Sequence, residues 1–98
     1  MWRHGDILIA ATKDVPGGAQ PVHHAVLATG EITGHAHRMA EPEAVSLWSV
    51  GDVIYMQVMA DSADLVHEEH ATITLPKGTY RVWHQREYTP KKIVRVRD

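Results

Sequence analysis

The chain has no cysteine, no phenylalanine and no long apolar run, and its basic residues are scarce over most of its length. Without cysteine there are no disulfides, no thiolate metal site and no thiol nucleophile; the same absence suits a reducing compartment. No stretch approaches the 18 or so apolar residues of a membrane span. The N-terminal Met1-Trp2-Arg3-His4-Gly5-Asp6 does not read as a secretory leader, because the apolar run that follows it is short and preceded by charge. A cytoplasmic protein with no membrane association is expected. Residues 1–76 hold three Lys/Arg against ten Asp/Glu, whereas residues 77–98 hold seven against two. A basic C-terminal segment on an acidic body is either an anion-binding surface or a partner for that body.

Histidine is what the chain has in excess: eight, against six aromatic residues. His35 and His37 stand two apart after Gly30 and Gly34, among β-formers. In a strand, residues two apart share a face, so two imidazoles project side by side. Such a pair is half of a zinc, iron, nickel or manganese site, usually completed by a further imidazole or carboxylate. His67-Glu68-Glu69-His70 is the available second half. The expected ligands are His35, His37 and His67, with His70 or Glu69 as the fourth. If residues 65–75 form one regular strand, His67 and Glu69 share its inner face and His70 points away. A bulge or turn there brings His70 in instead.

Ninety-eight residues fit a single β domain spanning 1–98, which at this size buries somewhat over about 60% of its unfolded surface. Residues 5–12 read as a first strand and 22–29 as a second, carrying His23 and His24. Residues 44–50 and 52–60 form a hairpin around Gly51-Asp52. Asp61-Ser62-Ala63-Asp64 reads as a turn and Pro76-Lys77-Gly78 as another; 79–88 is a long alternating strand and 93–97 a last one. No window sustains helical spacing. Eight to nine short antiparallel strands, with turn signals every eight to twelve residues or so, indicate an all-β barrel or sandwich.

Gly30, then His35-x-His37, then Glu41 resembles the first metal motif of the cupins, with one residue fewer before the histidine pair. Pro76-x-Gly78 is similar to the turn of the second cupin motif, but Arg81 stands where that motif has its histidine. The resemblance implies a small β-barrel with an internal metal, His67 or His70 replacing the missing ligand. Gly-Glu-Ile-Thr-Gly-His-Ala-His-Arg together with Val-His-Glu-Glu-His is also similar to small bacterial proteins of no assigned activity.

Three functions are compatible with these residues. One is a metal-stabilised module of structural or regulatory role; another is a cupin-type metal-dependent enzyme, for which the chain offers no further catalytic group. The third is a metal-free interaction domain whose basic C-terminal strand meets a protein or nucleic-acid partner. Tyr80, Arg81, Trp83, Arg86 and Tyr88 mix aromatic and basic groups as single-strand binders do. Self-association into a homo-oligomer is compatible with each.

Overall fold

The computed structural model describes residues 1–29, 36–84, 86–88 and 93–95, the last two stretches and residues 28–29 as backbone only. His35, Gly30 and the C-terminal lysines lie outside the described residues. What is described is almost entirely antiparallel β-structure, apart from one 3-10 turn at Pro42–Ala44. Among the described residues no helix is long and apolar enough to cross a membrane.

The strands are β1 (Trp2–His4), β2 (Ile7–Ala11), β3 (Gln20–Val22), β4 (Val26–Thr29), β5 (Ala36–Met39), β6 (Val45–Val50), β7 (Val53–Val66), β8 (Ile73–His84), β9 (Arg86–Tyr88) and β10 (Ile93–Arg95). Eight of them form one sheet in the order β1-β2-β8-β7-β5-β4, with β6 also pairing β7 and β3 pairing β6. One edge of β7 is therefore shared, its first half by β6 and its second by β5. No pairing joins the ends of this path among the described residues, so the sheet is open and sandwich-like rather than a closed barrel. β9 and β10 form a separate two-stranded ladder.

Alternation along the strands sends one face inward. Ile7 and Ile9 of β2, Leu47 of β6, Met56 and Val58 of β7, and Tyr80 and Val82 of β8 are all buried. Beyond a register break between Val58 and Ser62, β7 supplies Ala63 and Leu65, and β8 supplies Leu75, to the same core. Leu65 and Leu75 are fully buried, and each such side chain contributes about 1.5–3 kcal/mol.

The break corrects two expectations. Residues 61–64 are not a turn, because β7 continues through them; two extra residues there bend the strand without ending it. Pro76 and Gly78 lie inside β8, beside the bulge, where a missing ladder donor is tolerated. Residues 22–29 are likewise two strands, β3 and β4, separated by a bend that holds His23 and His24.

Two hairpins share one dipeptide. Gly51-Asp52 links Val50 to Val53, and Gly5-Asp6 links His4 to Ile7. Both glycines have positive φ, 64° and 57° for Gly5 and Gly51, and neither aspartate does. That is the type II′ pattern, which places glycine first.

The Tyr80 hydroxyl donates to the Pro76 carbonyl, and burial pushes its pKa up. Tyr80→Phe should cost about 1 kcal/mol and lower the melting temperature by about 4–8 °C. An unchanged melting curve would show that the hydroxyl adds nothing to β8 beside the bulge.

Candidate functional site: a buried histidine cluster

The core face of β1 ends at His4, and that of β5 carries His37. Their side chains meet where the β7–β8 connection crosses, bringing in His67 and His70. Ring centroids lie 4.3 Å apart for His37–His67, 4.4 Å for His67–His70 and 5.0 Å for His4–His37. His70 also stacks on His37 at 5.8 Å. His4 and His37 are 2% and 0% exposed. Four imidazoles from three chain segments thus pack together beside the Asp6 carboxylate.

The oxygen acceptors assign the neutral tautomers. His37 Nε2–H donates to Asp6 Oδ1 at 3.1 Å. His4 Nε2–H donates to the Ala71 carbonyl at 2.9 Å. Each ring, when neutral, is then left with its lone pair on Nδ1, and the two Nδ1 atoms lie 2.9 Å apart. Two neutral imidazoles supply two protons, but the three contacts need three. The short Nδ1–Nδ1 contact thus leaves room for a third proton or a metal ion between the two lone pairs.

Burial, then the neighbouring His67 and His4, pushes the His37 pKa down to about 4, against a smaller opposing pull from Asp6. His4 is shifted down as well, chiefly by burial. At neutral pH both rings are thus poised as neutral donors.

The structure departs from the sequence reading around residue 67. β7 ends at Val66, and residues 67–72 close a hairpin in which Leu65 pairs with Ile73. Residues 65–75 are not one strand, so strand parity does not apply: Glu69 is exposed, whereas His70 turns in against the cluster. Glu69 is exposed in this hairpin, and its backbone N–H donates to His67 Nδ1 at 2.9 Å. Glu68 ties the hairpin to β5, accepting from the Ala36 N–H at 3.1 Å and from Arg38 at 3.3 Å. The backbone donors first, and Arg38 after them, hold its carboxyl down at about 2.

Of the residues expected to bind metal, His37, His67 and His70 are brought together, while His35 lies outside the described residues. Among the described residues no group of three or more His, Asp or Glu side chains is arranged to hold a metal ion as it stands. The pair His4–His37 offers two oriented nitrogens, whereas His67 Nδ1 is occupied as the acceptor of the Glu69 N–H. His23 and His24 are exposed in their bend, where His24 Nδ1 accepts from the Val26 N–H. His84 lies half-buried on β8, opposite Ile7.

His4 and Asp6 were not foreseen. Their signal was the Gly-Asp dipeptide: the turn rule that places residues 44–60 in a hairpin applies equally at Gly5-Asp6, and would have given β1 and put His4 on the Ile7 face.

No curated protein and no solved structure matches the chain. Residues 3–85 match the family described as Domain of unknown function (DUF8820), a stretch that includes His4, Asp6, His37, His67 and His70. The chain belongs to that family.

Proposed function

We propose that this protein is a small metal-binding β-domain in which His4 and His37 hold a divalent transition-metal ion through Nδ1. The observation that carries the reading is the pair of facing Nδ1 atoms, each with its opposite N–H anchored on an oxygen acceptor. Distal anchoring of this kind is how proteins orient metal-ligating histidines, and a carboxylate in Asp6's position also raises ligand basicity. Imidazole donors favour zinc, nickel, copper or iron over magnesium or calcium. Tetrahedral zinc, at about 2.0–2.1 Å from each nitrogen, needs its nitrogens about 3.3–3.4 Å apart, so the pair must open by a few tenths of an ångström. His70 and His67 are the adjacent further donors, His67 only after its Nδ1 contact with Glu69 is exchanged. In the cupin-like reading His35 is another.

The ion would tie β1, β5 and the β7–β8 hairpin together. The near-complete burial of His4 and His37 supports a structural or regulatory role over an open catalytic position.

Untagged protein should carry about one ion per chain by mass spectrometry, or take it up on zinc addition. His4→Ala and His37→Ala should each weaken binding by roughly tenfold or more, while His24→Ala should not. Occupancy should fall as pH drops through about 6.5, since ligands must be neutral. Failure to retain zinc after add-back would mean that the pair shares a proton, and the metal reading would be lost.

A further inference from the structure

The face of the sheet turned away from the core has a composition of its own. By strand register, Pro21, Trp48, Tyr55, Arg81 and Ala10 form one cross-strand row over β3, β6, β7, β8 and β2. A neighbouring row runs Arg3, Leu8, Trp83 over β1, β2 and β8. Their inward neighbours, Leu47, Met56, Tyr80, Val82 and Ile9, are buried, which establishes that these rows face out. Trp48, Tyr55 and Trp83 remain partly exposed, and Arg81 is exposed. The Arg81 guanidinium sits 4.6 Å from the Trp83 ring centre.

Charge is segregated on this surface. Residues 1–76 carry ten carboxylates, yet no outward strand position in these rows, or in the adjoining Ser46–Gln57–Thr79 row, holds one. Arg3 and Arg81 lie on the face. Two grooves follow the β7–β8 junction: one of about 400 Å³ beside Val53, Arg81 and Trp83, another of about 360 Å³ beside Gln57, Thr79 and Lys77. Asp52, in the β6–β7 turn, borders the first.

We propose that this face binds single-stranded nucleic acid, with Trp48, Tyr55 and Trp83 stacking on bases and Arg3, Lys77 and Arg81 meeting phosphates. Aromatic rings spaced about 5 Å across strands and about 7 Å along them, interleaved with guanidinium groups, form the stacking platform that unpaired bases use. A duplex, whose bases are already stacked, gains nothing from such a platform. Two copies meeting through this same face would set Arg3 and Arg81 against their own equivalents, so the face favours an anionic partner over face-to-face self-association. Arg3 is on the opposite side of β1 from His4, so this site is independent of whether the histidine cluster binds metal.

The test is fluorescence anisotropy with labelled oligo-dT and oligo-U of about 12 nucleotides at low salt, using the whole chain. Saturable binding to either, with a slope of log K on log salt of about −2 for three phosphate contacts, is expected. Trp83→Ala and Tyr55→Ala should each weaken it about tenfold. Arg81→Glu, at an exposed position, should weaken it further and serves if an aromatic variant melts early. Lack of saturable binding at about 100 µM protein would overturn the proposal, as would equal affinity for a duplex or equal affinity in all three variants. Self-association abolished by Trp83→Ala, without oligonucleotide binding, would assign the face to a second copy of the chain and equally overturn it.

Discussion

Metal-free protein should lose on the order of 3 kcal/mol of stability as pH falls from about 6.5 to about 4. The source is His37, fully buried on β5, whose pKa is held down at about 4 from 6.5 by desolvation and by the imidazoles of His67 and His4. A histidine with a lowered folded-state pKa is protonated first in the unfolded chain. The unfolded state then binds more protons throughout this window, so stability rises with pH. The contribution is fully present above the unfolded value and is lost as pH drops through the window. His4, also shifted down by burial, adds in the same sense. Glu68 acts lower: its carboxyl, held down at about 2 from 4.5 by the Ala36 N–H and Arg38, gives support that is lost only below about 4.5. The check is urea unfolding of chelator-treated protein across this range. A flat profile between 6.5 and 4.5, or one rising towards acid, would mean that the pair already holds its shared proton at neutral pH. His37→Gln should flatten the upper part of the profile.

The second large effect is expected at Gly5. Its φ of 64° is in the left-handed region, and a β-carbon there would lie 2.5 Å from His70 Nε2 and 3.0 Å from His37 Cε1. Gly5→Ala therefore combines backbone strain of about 1–3 kcal/mol with displacement of the His70 ring from its place between His67 and Gly5. Gly51 is a built-in control: it occupies the same turn position, at φ 57°, with nothing within 4 Å of an added β-carbon. Gly51→Ala should show the strain alone. Gly5→Ala should melt lower than Gly51→Ala and, on the metal reading, bind zinc roughly tenfold or more weakly. Equal melting temperatures and equal zinc affinities for the two variants would show that the His70 ring moves aside freely and that its position is not needed.

The sequence by itself excluded disulfide and thiol chemistry, and its alternating short runs and Gly/Pro punctuation specified an all-β chain. It also placed the β6–β7 hairpin, since Gly51-Asp52 flanked by alternating runs is a local signal read by local backbone preference. Its spacing singled out His35, His37, His67 and His70, with Glu69 as the alternative fourth ligand; of these, His37, His67 and His70 are gathered in the fold and His35 lies outside the described residues. Other features depended on contacts distant in sequence. Residues 61–64 have turn composition, but pairing with β8 on the far side of a bulge keeps them in a strand. The closing of residues 67–72 into a hairpin, which turns His70 in and Glu69 out, follows from Leu65 pairing with Ile73, and strand parity fails once a strand ends. His4 meets His37 across 33 residues and the Ala71 carbonyl across 67. Such meetings are set by the register of non-consecutive strands, about which a histidine's immediate neighbours carry no information. Likewise Tyr80 and Trp83, one run in the sequence, part to opposite faces of β8, and only the sheet order brings Trp48 and Tyr55 beside Arg81. Local patterning decides which face a residue takes; strand order and register decide what it finds there.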